Sequence, residues 1–217
     1  MKNIFNQTEI FLEIGNHQSI RNVLFDKQSS NNYQSIEEIF KAYRNSYKYN
    51  KNILDIYIIG KNRKMISEQK GVFNLEQAKF GSNPIYNELS KEPYKVLVLP
   101  NYTSEYITYK NIGNIITFGT TINDRDTGEI LGVIAIDFDT SIFEKVCSKA
   151  TMGNSGKFYI LDKSNMLIFN PSKEYVDHVS DYKWYEIFNK QKGSTVQMLS
   201  GIEYLIVSDI PENLVFG

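Results

Sequence analysis

The sequence predicts an α+β fold in which an N-terminal helical region is followed by two units, each a small antiparallel sheet with flanking helices. Apolar residues recur at helical spacing through residues 4–49. From residue 53 onward, short apolar runs alternate with polar turns, which is the pattern of strands. The strand–turn–strand pattern of residues 53–67 returns at residues 156–169, so the two units are expected to be copies of one another.

The helical region is expected to hold a long N-terminal helix and then a second helix. The first apolar stripe runs from Phe5 to Leu24, and we expect an interruption at Gly15 and Asn16. In the second helix, the apolar residues follow the i, i+3, i+4, i+7 spacing at Ile36, Ile39, Phe40 and Tyr43. That helix is predicted to begin at Ser35, because Ser35-Ile-Glu-Glu38 fits a capping box.

The two hairpins align without gaps at a constant offset, 159 − 57 = 102. The matched pairs are Tyr57 with Tyr159, Ile58 with Ile160, Lys61 with Lys163, and Ile66 with Ile168. An internal duplication is the simplest explanation. After the first hairpin we predict short helical elements at residues 74–92 and strands at residues 95–100, 106–110, 115–122 and 130–138. After the second we predict a short helix at residues 184–189 and strands at residues 194–199 and 204–209.

These elements suggest four segments. Residues 1–52 form a helical stalk, residues 53–140 the first sheet unit, residues 141–152 a connector helix, and residues 153–217 the second unit. The last eight residues, IPENLVFG, look like the start of an apolar strand, so we expect the chain to be part of a longer protein whose second unit is truncated here.

The strand GEILGVIAIDFD ends in carboxylates although it reads as buried. Alternation places Val133, Ala135 and Asp137 on one face, and the bulkier Ile134, Ile136 and Phe138 on the face expected to pack on the leading helix. The smaller residues leave room into which Asp137 points. A ligand amine, hydroxyl or water could satisfy its carboxylate, and so could backbone amides of a neighbouring loop; the sequence leaves both open. Asp139 is expected to cap the connector helix.

Composition excludes several classes of function. The net charge is -1 with both signs mixed along the chain, so no basic surface for nucleic acid is indicated. Cys147 is the only cysteine, and His17 and His178 have no metal-ligand spacing, so neither a disulfide within the chain nor a metal site is expected. No apolar run approaches the ~18 residues of a membrane helix. No catalytic signature or cofactor motif appears, so an enzyme is not expected.

The segment INDRDTGEI superficially resembles a calcium-binding loop. In such a loop, glycine comes sixth after three spaced oxygen ligands and glutamate comes twelfth, and neither condition holds here. We therefore expect a hairpin turn that uses Asp and Gly.

The order of the motifs resembles a known family. A long N-terminal helix, IYIIGKNRKMIS, GEILGVIAIDFD and then GKFYILDKSNMLIFNPS together resemble the double Cache extracellular sensor domain of bacterial transmembrane receptors. The sequence is most similar to the sensor halves of YesM-type histidine kinases. Chemoreceptors and diguanylate cyclases carry the same module. The resemblance implies two PAS-like units in the extracellular part of a protein anchored in the cell membrane. It also implies a membrane-distal unit that binds a small molecule, and a homodimer formed through the N-terminal helix.

The resemblance also implies a binding site. Amino-acid-binding members have Tyr, four residues, Arg, one residue and Trp-Tyr, followed by a later Tyr and an Asp. On this chain those positions, from the Arg onward, fall on Asn83, Ile85, Tyr86, Tyr102 and Asp137, while Ala78 takes the place of the leading Tyr. Without the arginine there is no bidentate grip on a ligand α-carboxylate, so an ordinary amino acid is not expected.

Two other functions stay open at this point. A sensor module without a ligand could serve as a spacer or protein-contact platform. A secreted enzyme would need a nucleophile–base or paired-carboxylate arrangement, and the sequence offers none. The sequence identifies neither the ligand nor the output domain of the longer protein.

Overall fold

The structure, a computed structural model, describes residues 7–26, 30–47, 50–91, 93, 96–100, 115–141, 143, 159–161, 167–169, 193–199 and 202–208. The chain divides into two compact units, Met1–Gly156 with Phe216–Gly217, and Lys157–Val215. In the described residues no helix combines the length and the apolar character that crossing a bilayer requires.

Three helices open the first unit: α1 (Gln7–Asn16), α2 (Gln18–Leu24) and α3 (Ser30–Ser46). The first predicted helix is thus divided into α1 and α2 at the interruption expected at Gly15 and Asn16. The chain leaves helical geometry at His17, which is extended (φ -68°, ψ 134°) and follows two poor helix formers, Gly15 and Asn16. The predicted helix start at Ser35 is wrong, because α3 begins at Ser30 and its buried side already includes Asn32.

A six-stranded antiparallel sheet forms the body of the first unit, in the order β3-β2-β1-β6-β5-β4. Its strands are β1 (Ile53–Gly60), β2 (Lys64–Ser67), β3 (Gly71–Asn74), β4 (Leu97–Pro100), β5 (Ile115–Asn123) and β6 (Ile130–Asp139). A 3-10 turn (Asn50–Asn52) precedes β1, and two short helices, α4 (Gln77–Gly81) and α5 (Pro84–Lys91), lie between β3 and β4. The sequence did not predict β3, and the strand predicted at residues 106–110 lies outside the described residues.

The two faces of this sheet carry different side chains, as the alternation in β6 predicts. The bulky face holds Phe138, whose ring packs edge-on against Phe118 and at 5.8 Å from Tyr47, just after α3. On the other face, the smaller Val133 and Ala135 form a core cluster with residues of α5. The sheet therefore separates the N-terminal helices from α5.

The second unit is described through four strands. β7 (Ile160–Leu161) pairs with β8 (Leu167–Phe169), and β9 (Gly193–Leu199) pairs with β10 (Ile202–Ser208), all antiparallel. Leu161 opposite Leu167 repeats Ile59 opposite Met65, since 161 − 59 and 167 − 65 both equal 102. The neighbouring pair does not repeat, because Ile160 lies opposite Phe169 whereas Ile58 lies opposite Ile66, so the duplication stays a prediction. The predicted helix at residues 184–189 and most of the connector helix at residues 141–152 lie outside the described residues.

Candidate functional site

Asn83 begins α5 and caps it. Its Oδ1 accepts a hydrogen bond from the Tyr86 backbone N–H at 2.8 Å, and Pro84 follows at the first helical position. An asparagine before a proline is a favoured start for a helix, because its side chain satisfies an N–H that the helix leaves unpaired. The side chain is buried and orients α5 over the sheet.

Ile85 and Leu89, both buried, attach α5 to the sheet. They belong to one core cluster together with Tyr57, Val133 and Ala135. The small residues of the sheet make this approach possible: a Cβ added at Gly119 would lie 3.2 Å from Leu89 Cδ1. Part of the room left by the small face is therefore occupied by α5 itself.

Tyr86 lies at the margin of this cluster, half-buried. Its ring packs against Phe80 at a centroid distance of 4.6 Å and an interplanar angle of 53°. Burial raises the pKa of its phenol above the ordinary value. A tyrosine in this position offers both an apolar wall and a hydroxyl group.

Asp137 follows Ala135 on the same face of β6 and is fully buried. Its Oδ1 accepts hydrogen bonds from the Thr117 hydroxyl at 2.7 Å and the Tyr57 hydroxyl at 3.2 Å. Tyr57 also belongs to the cluster that holds Ile85, so one side chain joins the carboxylate to the α5 contact. Asp137, Ile85 and Tyr86 thus lie on one face of the sheet.

Asp55 is a buried residue of this site that the sequence analysis missed. It lies directly opposite Asp137 in the β1–β6 register and is itself fully buried. Its Oδ1 accepts the N–H groups of Ile56 at 2.8 Å and Gln69 at 3.3 Å, and its Oδ2 accepts the Ser67 hydroxyl at 2.6 Å. Burial first, and the charge of Asp137 in addition, raise the pKa of Asp55 to about 7. The one signal in the sequence was a lone charge within the apolar run ILDIYIIG.

Asp139 and Tyr102 are the remaining residues singled out from the sequence. Asp139 accepts the Ser141 backbone N–H at 2.9 Å, the contact expected of a cap. Tyr102 lies outside the described residues. Within the parts of the chain that the structure covers, no group of three or more His, Cys, Asp or Glu side chains could hold a metal ion.

Asp124 organises the segment that superficially resembles a calcium loop. Its Oδ1 accepts the backbone N–H groups of Asp126 and Thr127, both at 2.9 Å. These bonds lower the pKa of Asp124, and Gly128 follows with a φ of 74°. The hairpin turn predicted from Asp and Gly is confirmed.

A groove of about 640 Å³ lies elsewhere in the first unit, between α3 and the strands β2 and β3. Its apolar lining includes Ile36 and Phe40 of α3 and Ile66 and Val72 of the strands. Ile66 pairs with Ile58, on the bulky face of the sheet, so most of this groove and the Asp137 site use opposite faces.

No protein-family model and no curated protein matches the chain. Solved structures do match it. The ligand-binding domain of the Pseudomonas aeruginosa amino acid chemoreceptor PctC, in complex with GABA, has a TM-score of 0.60 at 11% identity, covering 95% of this chain and 84% of that one. The sensory domain of the Campylobacter jejuni chemoreceptor Tlp3, with isoleucine bound, has a TM-score of 0.55 at 20% identity, covering 94% and 86%.

The extracellular domain of vpHK1S-Z8, a protein described as a histidine kinase, has a TM-score of 0.57 at 14% identity, covering 89% of this chain and 78% of that one. Identities at this level show a common fold. The chain therefore shares the fold of these ligand-binding, sensory and extracellular domains.

Proposed function

We propose that the chain is the extracellular small-molecule-sensing domain of a transmembrane receptor. The observation that carries this proposal is the buried carboxylate of Asp137, on the sheet face covered by α5, in the fold of domains that bind GABA or isoleucine. A buried carboxylate is costly unless partners stabilise it, and such groups are concentrated where a protein binds something. The domain itself is proposed to have no catalytic activity.

The ligand is proposed to bind between α5 and the ends of β1, β5 and β6, using the predicted set Asn83, Ile85, Tyr86, Tyr102 and Asp137. Asp137 would accept hydrogen bonds from an ammonium or hydroxyl group of the ligand. Ile85 and Tyr86 would supply the apolar wall that small-molecule sites require. Asn83 would act mainly by holding α5 in place, because its Oδ1 is already bonded to the helix.

The signal would leave the site through α3. Arg44 of α3 binds the Glu68 carboxylate with Nε at 2.8 Å to both oxygens, and its Nη1 donates to the Ile53 carbonyl at 2.5 Å. Arg44 thereby connects α3 to the start of β1 and to the residue that follows β2. Ligand occupancy would shift the population of α3 arrangements to the extent that the ligand binds one arrangement more tightly than the other.

The longer protein is proposed to be most like a YesM-type sensor histidine kinase, with chemoreceptors and diguanylate cyclases as alternatives. In this proposal residues 1–52 form the stalk of a homodimer, residues 53–140 the membrane-distal unit, residues 141–152 the connector, and residues 153–217 the membrane-proximal unit. The resemblance in motif order and the fold of the extracellular neighbours support this arrangement.

A thermal-shift screen of this chain tests the proposal. Amino acids, amines, sugars, nucleobases and carboxylates are screened on the wild type, on Asp137→Asn and on the control Asp126→Asn, which changes an exposed carboxylate. A ligand at a hundred times its Kd adds about 2.7 kcal/mol of stability. We expect at least one compound to raise Tm by several degrees in the wild type and the control only. No shift with any compound, or equal shifts in all three proteins, would contradict the proposal.

A further inference from the structure

Two carboxyl groups face each other in the middle of the sheet. Asp55 and Asp137 are directly opposite in the β1–β6 register, and neither residue is exposed to solvent. Side chains in such positions have Cβ atoms only about 4.5–5.5 Å apart. Two buried carboxylates at this spacing repel each other strongly, so one of them is better kept neutral.

Hydrogen-bond donors contact both carboxyls. Asp137 receives two hydroxyl donors on one oxygen, from Thr117 and Tyr57, and these bonds favour its charged form. Asp55 receives two backbone N–H groups on Oδ1, whereas its Oδ2 is bonded to the Ser67 hydroxyl. Because Ser67 Oγ already accepts the N–H groups of Gln69 and Lys70, its hydroxyl donates to Oδ2, and all three donors favour the charged form of Asp55. Burial and the opposite carboxyl act against them and favour the protonated form.

The surrounding charges do not offset the pair. The described elements around it carry these ionisable side chains: Lys51 before β1, Tyr57 on β1, Lys64 on β2, Glu68 and Lys70 after β2, Asp139 on β6, Tyr86, Glu88 and Lys91 on α5, and Tyr33, Glu37, Glu38, Lys41, Tyr43 and Arg44 on α3. Lys64 is paired with Asp26, and Lys41 with Glu37. Glu68 is paired with Arg44, and Glu88 with Lys91. Asp137 is the charge that raises the pKa of Asp55, in addition to the larger effect of burial.

We infer that Asp55 and Asp137 hold one shared proton in the folded chain, and that the turn of residues 67–70 couples its release to α3. The inference concerns the chain with no ligand bound, so it stands or falls independently of the proposed sensing function. It makes the first unit responsive to pH near neutrality.

The turn contacts both the carboxyl pair and the helix. Gln69 donates its N–H to Asp55, and Ser67 Oγ accepts the N–H groups of Gln69 at 3.1 Å and Lys70 at 3.0 Å. Glu68, which lies between Ser67 and Gln69 in the turn, accepts hydrogen bonds from the guanidinium of Arg44. When Asp55 loses its proton, its bonds to Gln69 and Ser67 become charge-assisted and shorten. Movement of the turn then alters the ion pair between Glu68 and Arg44 of α3.

Carbon-13 NMR of the aspartate carboxyls tests the shared proton. In the wild type and in the control Asp126→Asn, one carboxyl is expected to titrate with a midpoint above pH 6, about two units above an ordinary aspartate. That signal disappears in Asp55→Asn, whose amide reproduces the protonated group. In Asp137→Asn the Asp55 midpoint falls, because the neighbouring charge is gone. If every aspartate titrates below pH 5 in the wild type, or Asp137→Asn leaves the midpoint unchanged, the shared proton is refuted.

A second variant covers the case in which Asp55→Asn does not fold. Ser67→Ala removes a hydrogen bond that lowers the pKa of Asp55, so the midpoint is expected to rise. A midpoint that stays in place or falls would contradict the assignment of the titrating group to Asp55.

Amide hydrogen exchange at pH 6 and pH 8, corrected for intrinsic rates, tests the coupling to α3. The wild type is expected to show a difference in protection within residues 40–46 between the two pH values. Asp55→Asn and Glu68→Gln should both lose that difference, the first because no proton is released and the second because the turn no longer binds Arg44 as a carboxylate. Equal pH dependence in all three proteins would overturn the coupling.

Discussion

Replacing Asp55 by Asn should change how stability depends on pH. The pKa of Asp55 is about 7 in the folded chain and 3.8 in an unperturbed aspartate, a difference of about three units. At 1.36 kcal/mol per unit, ionising this buried group costs the folded state about 4 kcal/mol at alkaline pH.

The sign follows from proton binding. Between pH 4 and pH 7 the folded chain holds a proton on Asp55 that the unfolded chain has released, so the free energy of unfolding falls as pH rises. The free-energy cost of ionising Asp55 in the folded chain is absent below about pH 4 and reaches its full value above about pH 8. From pH 5 to pH 8 the wild type should lose about 2–3 kcal/mol more than Asp55→Asn, since the amide cannot ionise.

Urea unfolding followed by far-ultraviolet circular dichroism, at pH 5, 6, 7 and 8, measures this difference. Equal m-values for the two proteins at each pH are required for the comparison. The control Asp126→Asn should follow the wild type. Parallel stability profiles for the wild type and Asp55→Asn would refute the assignment of a raised pKa to Asp55.

Substitutions at Ile85, Asn83 and Gly132, two of them with a control variant, test the packing of the first unit by urea unfolding. Ile85→Ala should cost 2–5 kcal/mol, about the usual loss for a fully buried isoleucine, and a cost below 1 kcal/mol would show that α5 is not anchored there. Asn83→Ala should cost about 1 kcal/mol while Asn83→Ser, whose hydroxyl can still cap α5 without burying a charge, costs less; equal losses would exclude the cap. Gly132→Ala should be destabilising because its Cβ would lie 2.6 Å from the Ile59 carbonyl oxygen, whereas Gly81→Ala meets nothing within 4 Å and should be tolerated.

Most of the sheet could be predicted because its strands carry local signals. β1, β2, β5 and β6 are apolar runs bounded by polar turns, and the structure places them close to the predicted bounds. The short edge strand β3 has no buried residue. Its two apolar residues are adjacent, so its four positions do not show the alternation that predicts a strand. The break between α1 and α2 was also readable locally, because Gly15 and Asn16 are poor helix formers, whereas the apolar stripe itself continues through it.

The candidate site was only partly accessible to sequence reasoning. Alternation in β6 placed Asp137 on the small-residue face without any knowledge of the fold. Asp55 was missed because its importance depends on which residue lies opposite it, and cross-strand register is set by the whole sheet. Asn83 was chosen by its position in a motif, although Asn followed by Pro also predicts the helix cap that the structure contains.

The most direct test of the sensing proposal is a methyl NMR titration with the Ile δ1 positions labelled. Ile85 reports on the α5 face, and Ile122, whose side chain lies against α1 at Gly15, reports on the opposite side of the sheet. Pools of amino acids, amines, sugars, nucleobases and carboxylates are added to the wild-type chain. The account predicts that at least one pool shifts the Ile85 methyl in a saturable way and leaves Ile122 in place. If no pool shifts Ile85, or if both methyls shift alike, binding on the α5 face is contradicted.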